Sequence, residues 1–96
     1  MNLGNTIKTM RTQKGFKQNT FAEMCDISQT YLSQIESNQR EPNISTLKSI
    51  CSNLKVSLPI LFFLALDIED VPENKKSVFA IISPTMKTLV NELLHD

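Results

Sequence analysis

Apolar residues return at helical spacing along most of this chain, and the polar stretches between them are short. Ile7 and Met10, then Phe21, Ala22 and Cys25, then Leu32 and Ile35, then Leu47, Ile50 and Leu54 form successive one-sided stripes. Such stripes mark amphipathic helices that share one core. Punctuating residues divide them. Gly15 separates the first stripe from the second, Asp26 and Ile27 interrupt the next pair, and Pro42 keeps the chain extended before the fourth. Ser28, Ser45 and Ser57 are N-cap candidates, since a hydroxyl can accept from an unpaired first-turn amide. Helices are expected at about residues 3–14, 18–25, 29–37, 45–54 and 58–66, with ends uncertain by about 2 to 4 residues.

The stretch from Gln18 to Glu36 carries the most information, because its two short helices are joined by a tight turn. Ala22 is small enough to let them cross closely. Asp26 stands where the chain must reverse, a place that favours positive φ; Asp tolerates that conformation because its side chain bonds locally. On the second helix of the pair, Gln29, Thr30, Ser33 and Gln34 fall within an arc of roughly 140°, opposite Leu32 and Ile35. These four side chains are neutral hydrogen-bonding groups. Gln can pair with adenine N6 and N7, and Ser or Thr can serve several bases, so this face is suited to reading base edges.

An ordinary solvated helix face is the alternative, and two neighbours argue against it. The arc lacks the Lys and Glu that usually dominate a solvent face. Lys17, Gln18 and Asn19 open the preceding helix, where free amides, a helix dipole and a cation together make a phosphate site.

On these residues the chain resembles the lambda-repressor-like, Cro-type helix-turn-helix DNA-binding family. The resemblance runs from residue 3 to 62 through LGNTIKTMRTQKGFKQ, FAEMCDISQTYLSQIESNQREP and ISTLKSICSNLKVSLPILF, about two thirds of the chain. It implies an all-α, five-helix DNA-binding domain over residues 1–66, with the helix-turn-helix at 18–37. Base reading would then fall to Gln29, Thr30, Ser33 and Gln34. Gln18 would hold a phosphate and steady the reading helix, Tyr31 would touch backbone, and Asn38, Arg40 and Asn43 would grip the next phosphates. Arg11 and Glu36 would form an internal ion pair tying the first helix to the end of the third. Asp26 and Asn38 stand where the family favours glycine, and Glu41 adds a negative charge to the phosphate-gripping loop.

Net charge is zero, but residues 1–50 hold six basic and four acidic residues while the remainder reverses that balance. So few cations imply a shallow salt dependence per subunit, the slope scaling at about 0.9 per neutralised phosphate. Useful affinity then calls for two subunits.

Residues 67–96 form an acidic connector followed by one or two further helices. Asp67, Glu69, Asp70 and Glu73 make the connector acidic, and Pro72 suits the start of a short helix expected near 72–82. Ser83-Pro84 reads as N-cap and first residue of a last helix ending near Leu94. Met86, Leu89, Val90, Leu93 and Leu94 keep helical spacing, and the adjacent Phe62 and Phe63 cannot both face one small core. This surplus of apolar surface marks an interface. Phe62, Phe63, Met86, Leu89, Val90 and Leu93 are therefore expected to form a homodimer contact that sets two reading helices about 34 Å apart on a palindromic operator in double-stranded DNA. The alternative is a tail folded back over its own domain.

Ninety-six residues with 41% apolar content suffice for one helical domain without staples. Cys25 and Cys51 lie on apolar stripes and read as reduced core thiols, and His95 reads as a surface residue. Neither a metal site nor a cofactor is expected. No nucleophile lies near a base and no Gly-rich phosphate loop occurs, so an enzyme is not expected. The longest apolar run, Leu58 to Leu66, is about half a membrane span, and with no basic stretch before an apolar one near Met1, a secretory signal is not expected. A soluble, cytoplasmic protein without a membrane partner is expected. The leading function is a sequence-specific transcriptional regulator, most simply a repressor. The alternatives are a DNA-binding antitoxin whose tail grips a toxin, and a non-DNA interaction module on the same fold.

Overall fold

The computed structural model describes residues 1–94, and the described residues are all helix, turn and loop. Helices α1 (Leu3–Gln13), α2 (Gln18–Met24), α3 (Gln29–Glu36), α4 (Ile44–Leu54) and α5 (Leu58–Ala65) enclose one core, and α6 (Lys76–Leu94) follows two single 3-10 turns at Ile68–Asp70 and Glu73–Lys75. His95, expected at the surface, lies outside the described residues.

The apolar stripes meet as their period requires. Ile7, Phe21, Leu32, Ile35, Ile50, Leu54 and Leu61 are fully buried, with Met10, Ala22, Cys25, Leu47, Cys51 and Val56 around them. Both cysteines are free, and burial pushes their thiols up from the ordinary range, which keeps them protonated and inert. Phe16 stacks on Phe21 with ring centroids 5.7 Å apart.

Local signals place the helix ends. Ser28 Oγ accepts from the Tyr31 amide at 3.0 Å and so starts α3 at Gln29. Asp26 and Asn38 adopt positive φ of 58° and 62° at the two reversals where glycine is common, as expected. Lys55 also turns left-handed, at φ 58°, to close α4. The cap of α4 is Asn43 and not Ser45: Asn43 Oδ1 accepts from the Thr46 amide at 2.8 Å, so the helix begins at Ile44. Asn is as strong a cap as Ser, and Asn43 has the extended backbone, φ −73° and ψ 171°, that a cap requires. Ser57 occupies the cap position of α5 but makes no capping bond.

The C-terminal segment departs most from expectation. The helix begins at Lys76, not Pro72, which instead precedes a 3-10 turn. It then runs unbroken through Pro84 to Leu94, so Ser83-Pro84 is not a helix start. An interior proline removes one backbone bond and crowds the preceding turn, at a cost of about 3 kcal/mol. What outweighs it is phase. Lys76, Phe79, Lys87 and Val90 are half-buried and Ser83 is buried at 8% exposure, a single inner face that a break at residue 83 would put out of register.

The start of the chain anchors the connector. The Asn2 amide donates to the Ala65 carbonyl at 2.9 Å, joining α1 to the end of α5. The N-terminal amine lies 2.7 Å from Asp70 and 3.5 Å from Asp67. Asp70 also accepts from the Asp67 amide, and both contacts hold its carboxyl below the usual carboxylate range.

Candidate nucleic-acid interface

The reading face follows from how α3 is seated. Leu32 and Ile35 point into the core, so the opposite side faces outward. Gln29, Thr30 and Ser33 are exposed and Gln34 half-buried. Together with Gln18 they line one shallow groove, which also includes Gln39. Gln39 has no place in the sequence reading, and nothing local signals it. It arrives because Asn38 turns left-handed and the chain doubles back, the Gln39 and Arg40 amides donating to the Gln34 carbonyl at 2.8 and 3.3 Å. The groove has donors and acceptors throughout and no ionisable side chain in its lining.

Beside it stands a pre-arranged cation. The Arg40 guanidinium carbon lies 4.7 Å from the centroid of the Tyr31 ring. Stacking on an aromatic face attracts a guanidinium and restricts its rotamers. Arg40 is exposed there, and Glu41 follows it with the opposite charge.

Lys17 is the N-cap of α2 and makes no side-chain capping bond. Gln18 is half-buried and Asn19 exposed. Asn19 borders a separate concavity with Glu23, Asp26, Ile27, Ser28 and Gln29, away from Thr30, Ser33 and Gln34. Two other expected phosphate ligands already have partners. Asn43 caps α4. Asn38 Oδ1 accepts from the Gly4 amide at 3.0 Å while its Nδ2 donates to Asn2 Oδ1 at 2.8 Å. The Asn38 side chain thus fastens the start of α1 to the end of α3.

The expected ion pair underlies the groove. Arg11 Nε donates to Glu36 Oε2 at 2.7 Å and Nη2 to Oε1 at 3.1 Å. Both residues are buried, at 8% and 6% exposure, and Arg11 Nη1 also donates to the Phe16 carbonyl at 2.7 Å. Gln18 Nε2 donates to Glu36 Oε1 at 3.0 Å, and Gln29 Nε2 donates to Gln18 Oε1 at 3.4 Å. Hydrogen bonds therefore run without a gap from the buried pair to the reading helix.

The expected dimer residues fall in two settings. Phe62 packs against the core and borders a cleft with Leu3, Gly4 and Leu47, and Phe63 is half-buried. On α6, Met86 and Leu89 are exposed and Val90 is half-buried on the inner side; the side chain of Leu93 lies outside the described set. Val78, Ile81 and Ile82 extend the exposed row, Ile81 at 76% exposure. Among the described residues no single helix is long and apolar enough to cross a membrane.

This fold, with a neutral polar face on α3 and a turn closed by Asp26, defines a helix-turn-helix protein, and the comparisons agree. A helix-turn-helix family model matches residues 7–61, and the chain belongs to that family in its Cro-type form. It is 37% identical over 54 residues to the HTH-type transcriptional regulator SutR of Escherichia coli, covering 56% of this chain and 30% of SutR. It is 35% identical over 60 residues to the control protein C.MunI of a Mycoplasma species, covering 62% of this chain and 81% of that one. The structure of SinR in complex with DNA overlays 62% of this chain and 97% of the SinR chain at a TM-score of 0.60 and 34% identity. The chain thus spans less than a third of SutR and most of C.MunI.

Proposed function

We propose that this protein is a sequence-specific double-stranded DNA-binding regulator of transcription, acting as a repressor that occupies a palindromic operator as a homodimer. The observation that carries the reading is the groove on α3, where Gln18, Gln29, Thr30, Ser33, Gln34 and Gln39 present neutral donors and acceptors next to Arg40 stacked on Tyr31. Neutral groups discriminate between bases and a cation at the margin grips backbone without regard to sequence. The relatives named as a transcriptional regulator and a control protein, and SinR seen with DNA, support it.

The homodimer reading rests on α6. Val78, Ile81, Ile82, Met86 and Leu89 are all at least 41% exposed, a row of large apolar groups that water disfavours. A second copy of the same helix would cover it and bring two weakly charged reading heads to one site, with the half-sites about 10 base pairs apart.

Two variants test the division of labour. Gln34→Ala is expected to relax one base position at a cost of about 1–3 kcal/mol while other positions keep their preference. Arg40→Ala is expected to weaken all duplexes alike and to lower the salt slope by about 1. Titrating each variant against single-base variants of a bound duplex reads both effects. Uniform weakening by Gln34→Ala would remove it from the base-reading set.

A further inference from the structure

We infer that α6 pairs with a second copy of itself in antiparallel register about the Ser83-Pro84 bond, and that Lys75 of each copy meets Glu92 of the other as the contact that sets the direction. This pairing rests on the homodimer proposed above and fixes a geometry that the homodimer alone leaves open.

The outward face of α6 is ordered. Val78, Ile82, Thr85 and Leu89 are exposed and follow one another at steps of four, three and four, the spacing that keeps a seam along one side of a helix. A further step of three leads back from Val78 to Lys75, one residue before α6, and on from Leu89 to Glu92. Both are exposed. Ile81 and Met86 flank the seam on either side, while Phe79, Ser83, Lys87 and Val90 lie on the inner face.

This order reads the same in both directions about residues 83 and 84. Laid against its own reverse, the seam sets Val78 against Leu89, Ile82 against Thr85 and Lys75 against Glu92. In a two-fold interface residue i meets j and j meets i, so each contact occurs twice. A parallel pair would match the apolar positions equally well, but it would set Lys75 against Lys75 and Glu92 against Glu92. It would also align the two helix dipoles, which an antiparallel pair opposes. Charge therefore decides the direction. Lys76 does not compete, because it is half-buried on the inner side and pairs with Glu73 at 3.0 Å. At 1.5 Å per residue the two α6 starts lie about 22 Å apart along the seam, and the two reading domains leave the pair from opposite ends.

The test uses the full chain. Lys75→Glu is expected to raise the dimer dissociation constant, read by sedimentation equilibrium, about fivefold or more, because two attractive contacts become repulsive. Glu92→Lys is expected to do the same. The variant carrying both changes is expected to return to within about twofold of wild type, since the pair is restored with its signs exchanged. A purely structural role for either residue would not be rescued in this way. Cysteine exchange reads the register. Chains carrying Val78→Cys and chains carrying Leu89→Cys, mixed in equal amounts and oxidised with diamide, are expected to join as a mixed disulfide while neither joins to itself. Both positions are exposed and the native Cys25 and Cys51 are buried, so the new thiols dominate the reaction.

Val78→Cys chains that link to one another would overturn the antiparallel pairing. So would charge-reversal variants that dimerise as wild type does, or a dimer in which no mixed disulfide forms. A wild-type chain that stays monomeric at every concentration would instead overturn the homodimer itself.

Discussion

Glu36→Ala is expected to lower the free energy of unfolding by about 3–5 kcal/mol, the range for removing one partner of a buried ion pair. Both side chains are nearly inaccessible, at 9% for Arg11 and 3% for Glu36. Without the carboxylate, the guanidinium keeps the Phe16 carbonyl as its hydrogen-bond acceptor and has no counter-charge. Gln18 loses its inner acceptor as well. Small domains are stable by about 5–15 kcal/mol, so this variant should lie near the edge of folding. Urea unfolding followed by circular dichroism measures it, with exposed Glu23→Ala as the control. A change under about 1 kcal/mol would place the pair with surface ion pairs.

Gly4→Ala is expected to destabilise the protein by about 1–3 kcal/mol or more, against the usual sign for such a change. In an exposed helix interior, alanine is favoured over glycine by about 1 kcal/mol. Gly4 is buried, however, where the first turn of α1 meets the end of α3. An added Cβ would collide with the Ile35 carbonyl oxygen and lie 2.7 Å from Asn38 Oδ1 and 2.8 Å from the Glu36 carbonyl oxygen. Two of those three atoms are backbone and cannot swing aside. The Gly4 amide bond to Asn38 would be strained by the same movement. Thermal unfolding gives the result; a Gly4→Ala protein that melts higher than wild type would show that α1 and α3 do not approach this closely.

Gly4 also shows where sequence reading stops. The core residues Ile7, Phe21, Leu32, Ile35, Ile50 and Leu54 announce themselves by period, because a helix that buries one side must repeat apolar residues every three or four positions. The turn at Asp26 and the cap at Ser28 are local chemistry and equally legible. The Arg11–Glu36 pair is legible only through the family resemblance. Gly4 packs against residues more than thirty positions away, and its own neighbours contain no trace of that contact. Gln39 joins the groove only through the left-handed turn at Asn38. Asn43 and Ser45 compete for one cap within three positions, and the structure resolves it in favour of Asn43, whose side chain accepts from the Thr46 amide. Ser83-Pro84 misleads for a related reason: its local preference is to start a helix, while the register of Phe79, Ser83, Lys87 and Val90 on one inner face keeps the helix continuous.

Asn38 and Asn43 narrow the phosphate-gripping set. Each has its side chain engaged within the protein, one at the start of α1 and the other at the start of α4. Under the proposed function, the exposed Arg40 stacked on Tyr31 would be the cation that meets backbone. So few charges would then leave discrimination to the neutral side chains of α3 and affinity to the pairing of subunits.

Selection of bound fragments from random duplex DNA, at fixed and moderate salt, measures that division most directly. The expected result is a consensus made of two inverted half-sites about one helical turn apart, with adenine at the position contacted by Gln29. Enrichment of no sequence, with binding governed by salt alone, would contradict the claim that α3 reads bases.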